Sequence, residues 1–315
     1  MRQKNDNREA PILKYAFIAL LAFAAAGNAA WQTPVNVGPP VDTADLEALP
    51  TVPADGSYMI FVSNRGGGFG MNDLWRSDYT GGDWQSPVNL GSNVNSSSTE
   101  TRPFLAEGDT VLYFASDESG YGGFDIFYCT ITPDGVVGAK TNLGSAINTA
   151  DAEASPVLSP DGNTLYFASN RVSGGYGSTD VWVSEKSGGT WGIPLNLGGV
   201  INTSEADEPA WVSNDGNTLV FMSNRPGTYG SMDLWYSVKS GGVWQTPVNF
   251  GPTVNSPDPE YGCSFYCNHG ELGGVMYFGS GRDDGEGGLD IWTSTDDAYI
   301  SVTPTSLGSV KAAFR

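Results

Sequence analysis

Short apolar runs recur along the chain, and turn-forming residues separate them. The run from Thr164 to Ser169 is typical, because β-branched and aromatic residues dominate it while glycine, asparagine and aspartate surround it. Such runs predict buried β-strands. The whole arrangement repeats at intervals of 53, 53, 55 and 52 residues, marked by a leading glutamate at Glu47, Glu100, Glu153, Glu208 and Glu260. A fixed period of this size indicates a repeat architecture.

Each copy contains strand-like runs that are joined by turns. An Asp-Gly turn such as Asp161-Gly162 follows the first run in three copies, and it predicts a hairpin because glycine reaches positive φ without steric cost. A glycine-rich loop follows the second run and ends on an aspartate, namely Asp73, Asp125, Asp180, Asp233 or Asp290. The fourth run has the pattern Trp-x-x-Pro-x-Asn-x-Gly, as from Trp84 to Gly91.

The fourth run indicates how the array ends. Copy five stops after Trp292 without this run, but the same pattern occurs near the start of the chain, from Trp31 to Gly38. An open stack of repeats has no reason to begin with the missing strand of its last member, so we expect the ends to meet in a ring. Four-stranded units around a ring are β-propeller blades. The sequence therefore predicts an all-β, five-bladed β-propeller domain over residues 30–297, closed by its N-terminal strand.

The two ends of the chain differ from the repeats. Residues 1–29 combine four basic residues, an apolar run and small residues near Ala29, which is the layout of a secretory signal peptide. An uncleaved anchor is the alternative. Residues 298–315 carry no repeat and form either a disordered end or a sorting signal. We therefore expect a periplasmic or extracellular protein with no stable membrane span after signal cleavage.

The charge of the chain limits its partners. The net charge is −20, and residues 30–315 contain 11 basic and 33 acidic residues. Polyphosphates are repelled by such a field, so nucleic acid is not expected as a partner. We expect a monomer with a protein or glycan partner.

The third copy carries a resemblance to a known family. Its segment Ser-Pro-Asp-Gly-Asn-Thr-Leu-Tyr-Phe-Ala-Ser-Asn-Arg, followed by Gly-Gly-Tyr-Gly and Asp-Val-Trp (159–182), resembles the WD-like propeller repeat of the TolB type. The similarity extends from Trp31 to about Asp297. It implies a propeller in a bacterial envelope setting, where members of the family serve as periplasmic scaffolds, as sensor or outer-membrane-associated domains, and occasionally as enzymes. The resemblance thus implies a fold more than a function.

Strand order places the leading glutamates and the glycine-rich loops on one face, which we call the upper face. The arginines that open these loops share it, and they are Arg65, Arg171, Arg225 and Arg282. In one interpretation this set binds a cation, a basic peptide segment or sugar hydroxyls, and loop tyrosines (Tyr121, Tyr176, Tyr229) provide stacking surfaces. In the other, each arginine pairs with a nearby carboxylate and the loop aspartates accept backbone N–H bonds.

Two blades depart from the repeat. Copy two has Asp117-Glu118 in place of Asn-Arg, and together with Asp125 these residues could bind calcium through oxygen ligands. No other cofactor is expected. Copy four has Trp211, the one tryptophan outside the two repeat positions, which is either a ligand-facing aromatic or a blade-specific core residue.

The cysteines offer one further candidate site. Cys263 and Cys267 flank a strand-like run and can form a disulfide only if the chain folds back at Asn268, because a straight strand holds them too far apart. A Cys-Cys-His metal site that includes His269 is an alternative. His269, however, occupies a turn position that aspartate fills in three other copies.

The function predicted from these patterns is a non-catalytic scaffold that binds a protein or a glycan through its upper face. The alternative is a carbohydrate-active enzyme, a glycoside hydrolase or lyase, that uses carboxylates at the channel mouth. Glycoside hydrolysis needs two carboxylates with different roles. The near-equivalent copies argue against this, although Glu100 and Glu208 have different neighbours in sequence.

Overall fold

The computed structural model describes residues 31–106, 108–266 and 274–296, which form a ring of five antiparallel blades. The predicted five-bladed β-propeller is confirmed. Strand β1 (Val35–Asn36) comes first in the chain and precedes blade one. Blade one contains β2 (Glu47–Thr51), β3 (Tyr58–Ser63), β4 (Asp73–Thr80), β5 (Asp83–Trp84) and β6 (Val88–Asn89). Blade two contains β7 (Glu100–Ala106), β8 (Val111–Ser116), β9 (Asp125–Thr130) and β10 (Thr141–Asn142).

The remaining strands follow the same order. Blade three contains β11 (Glu153–Leu158), β12 (Thr164–Ser169), β13 (Asp180–Ser187), β14 (Thr190–Trp191) and β15 (Leu195–Asn196). Blade four contains β16 (Asp207–Val212), β17 (Thr218–Ser223), β18 (Asp233–Ser240), β19 (Val243–Trp244) and β20 (Val248–Asn249). Blade five contains β21 (Glu260–Tyr266), β22 (Val275–Ser280) and β23 (Asp290–Thr295). No helix among the described residues has the length and apolar character to cross a membrane.

The ring closes as the displaced fourth run predicts. Strand β1 pairs antiparallel with β23, with Val35 opposite Thr293 and Asn36 opposite Trp292. An isolated bridge between Trp31 and Asp296 extends the pairing towards the N-terminus. The N-terminal segment therefore completes blade five and covers the outer edge of β23.

The innermost strand of every blade contains a β-bulge. The register with the second strand shifts in β2, β7, β11, β16 and β21. In four of them a residue with positive φ lies at the irregularity, namely Leu49, Arg102, Ser155 and Gly262. A bulge turns a side chain away from the regular alternation of a strand. These residues therefore line the centre of the ring instead of one face of a sheet.

The strand register corrects one prediction from the sequence. In blade four Asp207, not Glu208, lies opposite the serine that faces the leading carboxylate in the other blades. Glu208 lies opposite Met222. The two acids are adjacent, and the sequence pattern of glutamates alone selected the wrong one. In blades one to three the leading carboxylate precedes its partner serine by 16 residues in the sequence. In blade four the same spacing joins Asp207 to Ser223.

The core lies between neighbouring blades. A phenylalanine of each second strand is fully buried, namely Phe61, Phe114, Phe167, Phe221 and Phe278. Trp211 belongs to this core, because it is 8% exposed and its ring centroid lies 4.5 Å from that of Phe265. Trp211 therefore has the environment of a blade-specific core residue and does not present a free face to a ligand.

Candidate binding face

The leading carboxylate of blade one is buried among protein groups. Glu47 accepts hydrogen bonds from the Thr43 backbone N–H at 2.7 Å and from the Ser63 hydroxyl at 2.6 Å. Arg65 Nη2 lies 2.9 Å from Glu47 Oε1, and its guanidinium lies over two aromatic rings of the same blade. These contacts fasten the connection before β2 to the loop after β3.

The same arrangement recurs around the ring. Ion pairs join Arg171 to Glu153 at 3.0 Å, Arg225 to Asp207 at 2.6 Å and Arg282 to Glu260 at 3.1 Å. In blade two, where the arginine is missing, Lys140 Nζ lies 2.6 Å from Glu118 and 3.9 Å from Glu100. Four of the predicted glutamates and the four arginines therefore have the contacts expected of a structural network.

Glu260, the leading carboxylate of blade five, has a raised pKa. Burial raises its pKa to about 6, although hydrogen bonds from Ser256 and the charge of Arg282 oppose that shift. The side chain is fully buried. It has no access to a substrate that remains in solvent.

The loop aspartates hold the glycine-rich turns. Asp180 accepts hydrogen bonds from the backbone N–H groups of Tyr176 at 2.6 Å and Gly177 at 3.2 Å. The Asn196 amide donates a third at 3.2 Å. Asp73 and Asp233 make the same contacts in blades one and four. These aspartates fix the loops that project from the upper face.

The structure does not bring the three predicted calcium ligands together. Asp125 accepts from the Tyr121 N–H at 2.7 Å, Asp117 accepts from the Thr99 N–H at 2.7 Å, and Glu118 pairs with Lys140. Within the described ranges, the carboxylates that approach one another closely are instead Asp42, Glu47 and Asp290, whose oxygens lie within 4.8 Å of each other. The extra negative charge of copy two is thus balanced by a lysine from the end of the same blade.

Asp42 marks the seam where the ring closes. The other four seams have an asparagine at this position, namely Asn95, Asn148, Asn202 and Asn255. Burial, with the nearby charges of Asp290 and Glu47, raises the pKa of Asp42 to about 7. Asn36 Nδ2 is buried without a hydrogen-bond partner at the same seam. The closing seam therefore differs electrostatically from the other four.

The centre of the ring contains a small cavity, and Arg102, which lines it, forms an ion pair with Glu208. Arg102 Nη2 lies 2.8 Å from Glu208 Oε2, and the Ser155 hydroxyl donates to the same oxygen at 2.9 Å. Leu49 and Gly262 complete the lining from the other two blades. The cavity measures about 30 Å³, which is room for a few water molecules at most. A sugar ring does not fit within it.

Arg102 is the residue that the sequence patterns missed. It occurs in one copy, two residues after a leading glutamate, where the repeat has no arginine. The bulge and the φ of 53° at Arg102 turn its side chain towards Glu208 and so allow the ion pair. A comparison of what each copy holds at this position would have found it. The bulge itself has no sequence signature.

Cys263 lines the same cavity from blade five. It is buried, and burial raises the pKa of its thiol. Cys267 and His269 lie outside the described residues, so the disulfide and the metal site stay predictions. The predicted signal peptide and the predicted C-terminal tail also lie outside the described residues, so they too stay predictions.

Aromatic side chains project from the upper face at one loop position. Phe69, Tyr121, Tyr176 and Tyr229 are each 50 to 57% exposed. The backbone N–H of each donates to the loop aspartate four residues later. Blade five has Glu286 at this position. The candidate binding face thus carries four exposed rings on anchored loops.

Comparisons with solved structures agree with the fold. The catalytic domain of the GH62 α-L-arabinofuranosidase of Coprinopsis cinerea is 12% identical with a TM-score of 0.55, and the match covers 86% of this chain and 98% of that one. A thermostable family-43 glycoside hydrolase is 15% identical with a TM-score of 0.52, and the match covers 82% and 90% of the two chains.

TolB from Acinetobacter baumannii is also similar, at 13% identity and a TM-score of 0.47, over 80% of this chain and 55% of TolB. The chain thus spans about half the length of that protein. No protein-family model matches the chain, and no curated protein matches it. At these identities the similarities describe the fold alone. The chain is a five-bladed β-propeller, the fold that its sequence repeats predict.

Proposed function

We propose that this propeller is a non-catalytic scaffold outside the cytoplasm and that it binds a protein or glycan partner through its upper face. The observation that carries the proposal is the division of roles on that face. Leading carboxylates are buried in contacts with serine, threonine and arginine, while aromatic rings are exposed on anchored loops. The signal-peptide pattern of residues 1–29 supports the location.

The alternative, a glycoside hydrolase, requires two carboxylates that reach the substrate, one as acid and one as base or nucleophile. In blades one to five the leading residues Glu47, Glu100, Glu153, Asp207 and Glu260 are fully buried. Glu208 is bound to Arg102 and Ser155, two of the residues that line the central cavity. This geometry supports a binding function more than a hydrolytic one.

A hydrolysis assay tests the proposal. The purified protein is incubated with arabinoxylan, arabinan, xylan and β-glucans, and released reducing sugar is measured over a day. We expect no release above that of buffer. If release occurs and Glu208→Gln abolishes it while Glu185→Gln does not, Glu208 is catalytic and the non-catalytic proposal is wrong. Glu185 is the control because it is exposed near the end of β13, away from both the upper face and the central cavity.

A further inference from the structure

The exposed tyrosines lie beside contacts between neighbouring blades. Gly122 follows Tyr121, and a Cβ on this glycine would lie 2.1 Å from the backbone oxygen of Asp151 in the next blade. The N–H of Gly123 donates to the same oxygen at 2.9 Å. Tyr121 and Asp151 thus flank a direct backbone contact across the seam between blades two and three.

The next two seams repeat this arrangement. A Cβ on Gly177, which follows Tyr176, would lie 2.2 Å from the oxygen of Glu205. A Cβ on Gly230, which follows Tyr229, would lie 2.5 Å from the oxygen of Asp258. Three consecutive seams therefore place a tyrosine of one blade next to a carboxylate residue of the following blade. We call these six residues the tyrosine–acid arc: Tyr121, Asp151, Tyr176, Glu205, Tyr229 and Asp258.

The loops that carry the tyrosines of the arc are anchored, and the rings are open to solvent. All three tyrosines are at least half exposed, and each loop is anchored through a backbone N–H bond to its aspartate. Tyr176 also lies against a backbone, because a Cβ on Gly199 would be 2.9 Å from its Cε1. Because the loop backbone is already fixed, binding a partner on these rings orders few further degrees of freedom.

The carboxylates of the arc are available for a partner. Asp151 is exposed and Glu205 and Asp258 are partly exposed. None of the three forms an ion pair with the described residues, although the charge of Asp258 acts on Arg282 from a distance. They differ in this respect from the leading carboxylates two residues later, which are buried against arginine.

The other two seams lack one or both members of the pair. Between blades one and two, Gly70 after Phe69 approaches the backbone oxygen of Ser98, so the acid is missing. At the closing seam, Gly287 after Glu286 approaches the backbone oxygen of Asp45, so the aromatic ring is missing. The pairs thus occupy three adjacent seams on one side of the upper face, so the two sides of that face differ in their exposed side chains.

An aromatic ring beside a free carboxylate is suited to an arginine or lysine side chain. The cation lies over the ring, while the carboxylate accepts its hydrogen bonds. A neutral sugar can stack on the rings and donate hydroxyls to the carboxylates, but it carries no charge to pair with theirs, whereas anionic polymers would be repelled by a chain of net charge −20. Resting on the proposed upper-face function, we propose that the tyrosine–acid arc binds arginine and lysine side chains on a basic protein partner.

Binding of a cationic probe tests this inference. The probe is a fluorescein-labelled 12-residue peptide of alternating arginine and serine, and its Kd is measured by fluorescence anisotropy at 50 and 300 mM NaCl. One variant combines Tyr121→Ala, Tyr176→Ala and Tyr229→Ala, and a second combines Asp151→Asn, Glu205→Gln and Asp258→Asn. The matched control removes three exposed acids near the lower hairpins: Asp83→Asn, Asp134→Asn and Glu185→Gln.

We expect the two arc variants to raise the Kd of the peptide about tenfold or more, since three cation–ring contacts or three ion pairs are lost. The control should change it less than about twofold, because screening confines the effect of distant charges. Thermal melts verify that each variant is folded. An equal loss in the control, or no loss in the tyrosine variant, would mean unspecific attraction to an acidic protein and would overturn the inference.

A second titration separates this inference from the proposed function. Neutral oligosaccharides of glucose and of xylose are titrated into wild type and into the tyrosine variant by calorimetry. If they bind through the tyrosines and the peptide does not, the upper face is a binding face but its partner is a glycan. If neither the peptide nor the sugars depend on the arc, the proposed upper-face function fails as well.

Discussion

The closing seam differs from the other four because Asp42 has a carboxylate oxygen where their asparagines have an amide nitrogen. An asparagine at this position accepts a backbone N–H and donates to the carbonyl of the same residue, as Asn95 does with Leu74. Asp42 accepts from the N–H groups of Ile291 and Gly38 but has nothing to donate when it is ionised. Burial raises the pKa of Asp42, and the nearby charges of Asp290 and Glu47 add to the increase.

We therefore predict that Asp42→Asn stabilises the protein at high pH. The folded-state pKa of Asp42 is raised from 3.8 to about 7 by burial, so the wild type loses stability as pH rises between these values. The variant should gain little at pH 4 and gain up to about 4 kcal/mol in the free energy of unfolding above pH 7. Urea unfolding at pH 4, 6 and 8 measures this.

The reciprocal substitution is the control for this prediction. Asn95→Asp puts a carboxylate into a seam that now has an asparagine, so its loss of stability should be greater at pH 8 than at pH 4. If Asp42→Asn gives the same change at every pH, the ionisation of Asp42 does not limit stability.

The ion pair of Arg102 and Glu208 connects blades two and four across the centre of the ring. The side chains of Arg102 and Glu208 are 25% and 14% exposed. Removing either one leaves the other as a partly buried charge without its partner. We predict that Arg102→Met and Glu208→Gln each lower the free energy of unfolding by about 2 kcal/mol. The double variant should lose less than the sum of the two, by about 1 kcal/mol or more.

A double-mutant cycle by urea unfolding measures this coupling. Arg76 with Asp78 is the matched pair, because the Asp78 side chain is 52% exposed at the lower side of blade one. Its coupling should be under about 1 kcal/mol. Additive losses at Arg102 and Glu208 would show that the central contact contributes no coupling energy.

Residue identities in this protein were predictable where the repeat supplied several copies. The buried pairs of arginine with a carboxylate follow from motifs that occur in four blades, and so do the aspartates that hold the loops. Arg102 occurs once, so the repeat motifs do not include it, and the bulge that turns its side chain towards Glu208 has no sequence signature. Glu208 was misassigned because its neighbour Asp207 carries the same type of charge, and only pairing with Ser223 distinguishes them.

The glycine-rich loops connect the second and third strands of each blade and also pack against the following blade. One glycine of each loop lies against the backbone of that following blade, and a Cβ on Gly70 would lie 2.0 Å from the Ser98 oxygen. Gly66 lies in the same loop, and a Cβ there would meet nothing within 4 Å. Backbone atoms cannot move aside as a flexible side chain can.

We predict that Gly70→Ala destabilises the protein by about 1 to 3 kcal/mol, which is the usual cost of overpacking. Gly66→Ala should be neutral within about 0.5 kcal/mol. Urea unfolding of the two variants makes the comparison within a single loop. Equal stabilities would show that the seam yields by a small backbone shift and that the glycine is not required by the contact.

Strand positions were the most predictable elements, because turns and apolar runs alternate regularly in each copy. The sequence also predicted that a strand from the N-terminus completes blade five. It did not predict that the fourth run forms two short pairings, such as β5 at the end of β4 and β6 at its middle. Two-residue strands are too short to have a periodic pattern, so pairing with a neighbour defines them.

At the scale of the whole molecule, the ring is closed by hydrogen bonds and packing and not by a covalent bond. Strand β1 is only two residues long, yet it joins residues at opposite ends of the described chain. Every other blade is completed by a strand from its own sequence segment. The closing blade is therefore the one whose assembly orders the longest stretch of chain.

We predict that a disulfide across this closure stabilises the protein more than an equivalent disulfide within a blade. Val35→Cys with Thr293→Cys closes a loop of about 260 residues, whereas Val248→Cys with Tyr236→Cys closes one of about 12 at the same register position. The repeat gives both pairs the same local geometry, so native-state strain largely cancels. Chain entropy then favours the closing disulfide by about 3 kcal/mol.

Thermal melts of oxidised and reduced samples measure the two gains, after mass spectrometry has verified each bond. For a chain of this size, 3 kcal/mol corresponds to roughly 6 to 12 °C more gain in Tm for the closing pair. The buried thiols of Cys129 and Cys263 remain in both variants, so they affect both alike. Equal gains in Tm would mean that the two ends of the unfolded chain already lie close together. Bringing them together during folding would then cost little conformational entropy.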